Sequence, residues 1–295
     1  MALTNKQILL NGRTHSQHSA VLSIQNRAFE YGDAISEEIH ACAGRLCFFS
    51  EHIEKLTSAM EKVSMKIPNC FNAANVNNFK EEISKLLVRN KVFKGANVKI
   101  TVFRSECGGF FSKDSETEYT VSYEQLPQSG FEFNLDDGQW ISVYDKFPKT
   151  PSPLWNYNTH ENFFLKHNAL KEAVKERVND MVLVNGDGNW AQSVLFGNIF
   201  LEVNKVIYTP PLKDGALDDV FRGKVIEMCQ EAGFKVETEK SVGQDLVAKA
   251  DSMFFASTAT GVLWVSAYKK RRFFRKTPQI IAEKINNLYL KEETI

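Results

Sequence analysis

The sequence lacks the features that mark several large classes of protein. Lysine plus arginine and aspartate plus glutamate number 36 each, so the 295-residue chain has no formal net charge at pH 7. Nucleic-acid and membrane-surface binding both rely on a surplus of positive charge, and we expect neither partner. No stretch approaches the ~20 apolar residues that a membrane-spanning helix needs.

Paired cysteines with metal-ligand spacing are missing as well. The five cysteines occur without a CxxC motif, and the amino terminus has no basic segment followed by an apolar run. Unclustered thiols in odd number are typical of reduced, structural cysteines, and a chain of this length rarely depends on a disulfide framework. We therefore expect no metal site, no secretory signal and a cytoplasmic protein.

The remaining composition is that of an ordinary globular chain with a large core. Hydrophobic residues make up 43% and charged residues 24% of the sequence, and 22 residues are phenylalanine. A chain of this size is expected to form one large or two medium domains. The phenylalanines indicate a well-filled core or a buried subunit interface.

The amino-terminal part mixes strand and helix patterns and predicts an α+β domain over residues 1–145. Short strands flank a turn at Asn11-Gly12, and apolar residues then recur at three- and four-residue spacing from Phe49 until Pro68. A second amphipathic helix fits VNNFKEEISKLLVRN. Further strands are predicted at 98–104, 119–126 and 141–145.

A proline-rich connection is predicted at residues 146–157, where three of the eight prolines lie close together. The carboxyl-terminal domain then covers residues 158–295. It is expected to contain a helix over FLKHNALKEAVKERV, a hairpin with Asn204-Lys205 near its tip, a helix from about Asp219 to Gly233 and a terminal helix.

Four blocks of sequence carry the main clue to function. They are NRAFEYGDAISEEI (26–39), ITVFRSECGG (100–109), a long block running from LKHNAL through MVLVNGDGNWAQSVLFGNIFLEV to IYTPPLKDGALDDVFR, and ADSMFFASTATGVLWVSAYKKRRFF (250–274). In this order they resemble the class IV aminotransferases, which include branched-chain and D-amino-acid aminotransferases and aminodeoxychorismate lyase. The resemblance covers almost the whole chain.

The resemblance implies a two-domain fold-type IV enzyme, with an N-terminal α+β domain and a C-terminal pseudo-barrel domain. It also implies pyridoxal 5′-phosphate as cofactor, a homodimer, and amino-acid and 2-oxo-acid substrates. The family's lysine forms an imine with the cofactor aldehyde, for which a neutral amine is needed. By resemblance this residue is Lys166, although the family often has two residues between lysine and asparagine where His167 alone stands here.

The resemblance places the cofactor phosphate on backbone N–H groups at a helix N-terminus, beside hydroxyls and one cation. The corresponding residues are Val220, Phe221, Ser257, Thr258 and, where the family has arginine, Lys55. Asp219 replaces a family glycine and brings negative charge towards the phosphate. Its structural role would be to cap the helix.

The ring nitrogen of the cofactor meets a glutamate in the family. Here the residue is Gln192, or Ser193 under the other alignment of this segment. Neither side chain can supply the negative charge that keeps the ring protonated and electron-withdrawing. We therefore expect a weaker electron sink than in the family.

Four residues correspond to substrate-side positions, namely Tyr31, Ser36, His40 and Arg104. Arg104 could pair with a substrate carboxylate or belong to a surface ion pair at the end of a strand. Ser36 replaces a family aromatic residue and His40 a family arginine, which would open the site and change its polarity. His40 and His167 are expected to have structural roles.

Two hypotheses follow. The first is a pyridoxal-phosphate enzyme that transfers an amino group between an amino acid and a 2-oxo acid, or eliminates pyruvate from aminodeoxychorismate, with Lys166 as general acid–base. The second is a homologue without cofactor that serves as a scaffold or binding protein. The second draws on the changes at Ser36, Lys55, Gln192, Asp219 and Phe221. Substrate, D- or L-stereochemistry and lyase or transferase activity stay open.

Overall fold

The computed structural model describes residues 6–19, 22–105, 116–152, 157 and 163–291. The chain divides into two compact units, the first being Met1–Gly130 with Tyr157–Glu161 and the second Phe131–Asn156 with Asn162–Ile295. The glycine-rich loop of the second sequence block (106–109) and part of the proline-rich connection (153–156) lie outside the described residues.

The first unit contains an antiparallel sheet with helices packed on it. Its elements are β1 (Gln7–Leu10), β2 (Arg13–Ser16), α1 (Arg27–Tyr31), β3 (Ala34–Cys42), β4 (Arg45–Leu46), α2 (Phe49–Lys62), α3 (Val76–Arg89), β5 (Gly95–Arg104) and β6 (Thr117–Leu126). The six strands have the order β2-β1-β6-β5-β3-β4. Long registers join β3 to β5 and β5 to β6, so these three strands form the centre of the sheet.

The core of the first unit follows from the sequence periodicity. Successive side chains of β3 point to opposite faces of the sheet, so Ile35 and Ile39, four residues apart, lie on the same face. Both belong to the hydrophobic core. The apolar stripes predicted for α2 and α3 are buried in the same core, for example at Leu56 and Ile83. The predicted helices are thus confirmed, because a 3.6-residue period fixes one buried face.

The second unit contains a larger mixed sheet. Its elements are β7 (Gln139–Tyr144), α4 (Phe163–Glu176), β8 (Asp180–Val184), β9 (Trp190–Ser193), β10 (Asn198–Val203), β11 (Val206–Tyr208), α5 (Val220–Glu231), β12 (Lys235–Glu237), α6 (Gln244–Val247), β13 (Ser252–Ser257), β14 (Gly261–Tyr268), β15 (Arg271–Arg272) and α7 (Lys276–Lys291). The strand order is β12-β11-β10-β13-β14-β7-β8-β9, with β15 paired to β14.

This larger sheet curls into a half-barrel. Strand β9 lies at one end of the order and β10 near the other, yet the N–H of Ser193 donates to the carbonyl oxygen of Gly197 across the turn that joins them (2.9 Å). The predicted hairpin of β10 and β11 is present. Its tip residues Asn204 and Lys205 both have positive φ, as a tight hairpin turn requires.

Strand β7 belongs to the second unit, whereas the sequence pattern assigned it to the end of the first domain. It pairs in parallel with both β8 and β14, so its hydrogen bonds lie in the second sheet. The boundary between the units therefore falls between Gly130 and Phe131, before the predicted limit at residue 145. A strand pattern alone does not tell which sheet a strand joins.

Among the described residues, no helix is long and apolar enough to cross a membrane. The cysteines in that part of the chain, Cys42, Cys47, Cys70 and Cys229, are free thiols. Burial raises the pKa of the Cys229 thiol to about 12, so it stays protonated and unreactive. This fits the expected structural role of these thiols.

Candidate active site

The second unit contains a buried lysine amine that no sequence pattern singled out. Lys149 follows β7, and its backbone N–H donates to the carbonyl oxygen of Val184 at the end of β8 (2.8 Å). The residue is only 2% exposed. Its Nζ donates to Oε1 of Gln192 (2.7 Å) and to the carbonyl oxygen of Gly215 (2.6 Å).

This environment makes Lys149 a weak base. Burial, and to a smaller extent the positive charge of Lys166, lowers the pKa of Lys149 from 10.5 to about 7. Desolvation disfavours the charged form of an amine, and a second cation nearby acts in the same direction. A large share of the Lys149 amine is therefore neutral at physiological pH, which is the nucleophilic form.

Lys166 lies in the first turn of α4 and is half-buried. It is near enough to Lys149 for its charge to act on that amine. The neighbouring His167 is exposed and stacks on the ring of Phe163, with a centroid distance of 5.8 Å. His167 thus has a local contact on the helix surface.

The two residues assigned to the ring nitrogen have different partners. Gln192 accepts from Lys149, whereas the hydroxyl of Ser193 donates to the carboxylate of Asp180. The same carboxylate accepts from the N–H of Leu195 (3.2 Å). Gln192 is therefore the one that faces a reactive group, while Ser193 holds the turn between β9 and β10.

Asp180 is fully buried, and this burial raises the pKa of its carboxyl from 3.8 to about 6, against the opposing effect of its hydrogen bond from Ser193. A raised pKa means that its contribution to stability is complete below pH 3.8 and is lost as the pH rises through about 6.

We expect Asp180→Asn to stabilise the protein by about 2 kcal/mol more at pH 7.5 than at pH 4.5, relative to the unsubstituted chain. Asparagine keeps the shape of the side chain but does not titrate. Urea unfolding at the two pH values measures the difference. Asp187→Asn, at an exposed position, is the control, and an Asp180→Asn effect equal at both pH values would contradict the assignment.

The N-terminus of α5 is capped by its own carboxylate. Asp219 accepts from the N–H of Arg222 (2.7 Å) and from the side-chain amide of Asn198 (2.8 Å). The expected capping role of Asp219 is thus present. It also places a negative charge at the helix end where the resemblance locates a phosphate.

Phe221 contributes its side chain to the core of the unit. Its ring packs against Phe131 and Tyr289, with centroid distances of 5.4 and 5.5 Å, and is fully buried. Only backbone N–H groups of Val220 and Phe221 could therefore meet a phosphate. The first turn of a helix leaves such groups without partners inside the helix.

The hydroxyl groups assigned to the phosphate lie at the end of β13. The hydroxyls of Ser257 and Thr260 share a hydrogen bond (2.8 Å), and Ser257 also accepts from the N–H of Thr260 (3.3 Å). Thr258, between them, is buried. This turn presents several hydroxyls together.

Hydrogen bonds and strand pairing connect several of these segments within the second unit. Lys149 joins Gln192 to Gly215. Asn198 binds Asp219 and pairs in register with Ala256, next to Ser257. A helix N-terminus and hydroxyls are donors that fit the phosphate of pyridoxal phosphate, and an uncharged amide fits a neutral ring nitrogen. The carboxylate of Asp219 is the departure from that fit.

The substrate-side residues lie in the first unit and have partners there. Arg104 forms an ion pair with Asp33 (2.5 Å) and donates to the carbonyl oxygen of Val63. The hydroxyl of Ser36 is hydrogen-bonded to that of Thr101 (3.0 Å). The arginine is thus held in an ion pair, as one of the two alternatives had it, but the pair is largely buried (19% and 15% exposed) and not at the surface as expected.

His40 is fully buried on β3, where its Nε2 donates to the carbonyl oxygen of Ser129 (2.7 Å). Tyr31, at the end of α1, is 42% exposed and lies under the guanidinium of Arg27 at 5.0 Å. Lys55 lies on α2 and is half-buried. The expected structural role of His40 matches its hydrogen bond.

The family profile described as Amino-transferase class IV matches residues 34–268. The chain belongs to the class IV aminotransferases. Its predicted family is therefore confirmed. Relatives of this class IV aminotransferase include the D-alanine aminotransferase of Bacillus licheniformis, 24% identical over 88% of each chain. The aminodeoxychorismate lyase of Bacillus subtilis is 25% identical over 78% of this chain and 76% of its own.

Solved structures show the fold of this class IV aminotransferase. The branched-chain aminotransferase of Thermoproteus uzoniensis with norvaline has a TM-score of 0.84 at 19% identity, covering 97% of this chain and 96% of its own. The branched-chain aminotransferase of Thermobaculum terrenum in its PLP-bound holo form has a TM-score of 0.81 at 15% identity, covering 98% and 95%. The predicted two-domain fold-type IV architecture is thus confirmed.

Proposed function

We propose that this class IV aminotransferase binds pyridoxal phosphate and transfers the amino group of a small amino acid to a 2-oxo acid. The observation that carries the proposal is the arrangement at the start of α5 and the end of β13, where the hydrogen bond between Asn198 and Asp219 (2.8 Å) and the pairing of Asn198 with Ala256 bring a helix N-terminus near the hydroxyl of Ser257. The residue that would bond the aldehyde of the cofactor is Lys166, as the resemblance implies, because that bond needs a lysine amine.

Different residues of the chain would bind different parts of the cofactor. When bound, pyridoxal phosphate supplies an aldehyde carbon and an electron-withdrawing ring. The hydroxyls of Ser257 and Thr258 and the N–H groups of Val220 and Phe221 would bind its phosphate. Gln192, which has an amide N–H as well as the oxygen that now accepts from Lys149, would donate to a neutral ring nitrogen.

For the substrate we propose only a chemical class, a small amino acid, and no single compound. A small amino acid fits the resemblance to D-alanine, branched-chain and aminodeoxychorismate enzymes, and a homodimer is proposed on the same ground. A cytoplasmic location stays a prediction from the cysteine usage. Light scattering of the purified protein tests the dimer, with a monomer at micromolar concentration as the contradicting result.

The test of the function is cofactor retention followed by turnover of single amino acids. Purified protein is incubated with pyridoxal phosphate, desalted and scanned by absorbance. We then expect a retained visible or near-ultraviolet band that changes when D- and L-alanine, branched-chain amino acids or glutamate are added. Loss of the band on desalting would contradict the proposal and direct the search to a cofactor-free binding role.

We expect Asp219→Asn to bind pyridoxal phosphate about fivefold more tightly, because asparagine caps the helix equally well without placing a charge beside the phosphate. Absorbance titration measures the affinity. Pyridoxal, which lacks the phosphate, is the control ligand, and its affinity should not change. Equal tightening for both ligands would show that the phosphate is bound elsewhere.

A further inference from the structure

The backbones of Lys149 and Gln192 are both bound to β8. The backbone N–H of Lys149 donates to the carbonyl oxygen of Val184 (2.8 Å), and Gln192 pairs in register with the adjacent Leu183. Lys149 is 2% exposed and Gln192 is 1% exposed. Because one strand holds both backbones and both side chains are buried, the hydrogen bond from Nζ of Lys149 to Oε1 of Gln192 (2.7 Å) joins two groups with little freedom to move.

This hydrogen bond determines which end of the Gln192 amide faces Lys149. A charged lysine amine has donors only, so the amide must turn its oxygen towards Nζ. A second N–H of Nζ donates to the carbonyl oxygen of Gly215 (2.6 Å), which keeps the amine in place. The amide N–H groups of Gln192 therefore point away from Lys149.

Lys149 orients the amide with or without its own charge. Burial, and to a smaller extent the positive charge of Lys166, lowers the pKa of Lys149 to about 7, so above neutral pH most of the amine is uncharged. The neutral amine still has two N–H groups, enough for the oxygens of Gln192 and Gly215. The orienting contact therefore depends on the donor and not on the charge.

The amide nitrogen of Gln192 is available to a ligand. It makes no hydrogen bond to the described part of the chain, and it is not among the buried side-chain atoms there that lack a partner. Some of its surface is therefore accessible. The neighbouring Ser193, on the other face of the strand, instead donates to the carboxylate of Asp180.

We propose that Lys149 is a positioning residue, which holds the amide of Gln192 so that an N–H group donates to the ring nitrogen of pyridoxal phosphate and that nitrogen stays unprotonated. The inference deepens the proposed function and rests on it. A protonated ring nitrogen would set one donor against another, which is unfavourable. Lys149 acts through Gln192, and the bond to the cofactor aldehyde is left to Lys166.

The role has a chemical consequence for the substrate. A ring nitrogen that only accepts a hydrogen bond withdraws electrons less strongly than a protonated one. The pair of Lys149 and Gln192 therefore slows removal of the α-proton, compared with a site that has a glutamate facing the ring nitrogen.

The experiment measures the protonation state of the bound cofactor. Protein loaded with pyridoxal phosphate that carries nitrogen-15 in the ring is freed of unbound cofactor and titrated between about pH 9 and about pH 5. Nitrogen-15 NMR distinguishes protonated from unprotonated ring nitrogens by chemical shift. We expect an unprotonated ring nitrogen at neutral pH in the wild-type protein, and a protonated one there would overturn the proposal. Gln192→Glu, which offers only acceptors when ionised, is the reference for a protonated ring.

Variants test whether Lys149 acts through Gln192. Lys149→Met frees the amide to turn its oxygen to the ring, so it should raise the proton affinity of the ring nitrogen about tenfold, or one pH unit. Lys149→Arg keeps a donor and should leave the ring nitrogen unprotonated at neutral pH. In a Gln192→Leu background, Lys149→Met should shift the midpoint by at most about half as much. Equal shifts in both backgrounds, or none in either, would contradict the positioning role.

The matched control is Lys146→Met, because Lys146 is an exposed lysine on the same segment, paired with Glu172 (2.9 Å). We expect it to leave the midpoint of ring protonation at the wild-type value. A shift as large as that of Lys149→Met would show that loss of any nearby lysine has the same effect, which would also contradict the proposal.

The outcomes separate this inference from the proposed function. Wild-type protein that retains no cofactor refutes both, whereas retained cofactor with a protonated ring nitrogen refutes this inference alone. Circular dichroism checks that each variant folds. If Lys149→Met does not fold, the ring nitrogen of the wild-type protein, compared with that of Gln192→Glu, still decides the question.

Discussion

Replacing Lys149 by methionine should favour the folded cofactor-free protein by about 3 kcal/mol more at pH 6.5 than at pH 9.5, relative to the unsubstituted chain. The pKa of Lys149 falls from 10.5 to about 7 on folding. A depressed pKa contributes its full stability above the unfolded value of 10.5. That stability is lost as the pH falls towards 7, because the unfolded chain binds a proton that the folded chain does not.

The change in stability with pH isolates this effect from the loss of the two hydrogen bonds. Methionine leaves Gln192 and Gly215 without the Lys149 donor at every pH, so that cost shifts both values equally. Urea unfolding at the two pH values measures the difference. Lys146→Met is the control for the loss of a lysine at an exposed site. A Lys149→Met effect that does not vary with pH would show that the buried amine is protonated.

A methyl group at Gly197 is expected to destabilise the protein by about 3 kcal/mol and to weaken cofactor binding. Gly197 has a φ of +78°, and its Cβ would lie 2.9 Å from the carbonyl oxygen of Ala256 and 3.2 Å from Cβ of Ser257. A backbone atom cannot move aside as a flexible side chain can. The turn that follows Ser193 and contains Gly197 would therefore be pushed away from Ser257.

Gly188→Ala is a control matched in backbone conformation. Gly188 has a φ of +77°, but nothing lies within 4 Å of the position of its Cβ. Its replacement should cost about 1 kcal/mol from backbone strain alone and leave cofactor affinity unchanged. Thermal unfolding and absorbance titration measure both variants. Equal losses in the two would show that close packing at Gly197 contributes nothing.

Local patterns predicted the local elements well. The apolar residues at every third or fourth position of α2 and α3 correctly predicted which face of each helix is buried. The hairpin turn at Asn204 and Lys205 and the helix cap at Asp219 could also be predicted from the sequence, because turns and caps depend on a few adjacent residues.

Features that depend on distant pairing could not be predicted. The parallel partners of β7, strands β8 and β14, come from two separate parts of the chain. The sequence of β7 itself therefore does not indicate that the strand belongs to the second unit. The burial of Lys149 follows from that pairing, because its N–H extends the contact with β8 at Val184. In sequence it is one of 36 basic residues, between two prolines.

The contacts of the candidate residues were predicted unevenly. Arg104 had two alternatives, and the ion pair with Asp33 is the one present. Gln192 and Ser193 could not be distinguished by alignment, but their hydrogen bonds differ. Side-chain direction on a strand changes with each residue, so a one-residue ambiguity in the sequence becomes a choice between two faces of the sheet.

The position of β7 also bears on how this enzyme could diversify. Because β7 leads into Lys149 within the second unit, both lysines, Lys149 and Lys166, and the proposed ring and phosphate contacts other than Lys55 belong to one compact unit. The residues that the resemblance places on the substrate side, Ser36, His40 and Arg104, belong to the other. If the roles implied by the resemblance hold, substitutions in the first unit would change substrate preference while the proposed cofactor contacts of the second unit stay the same, so specificity and catalysis would be open to separate selection.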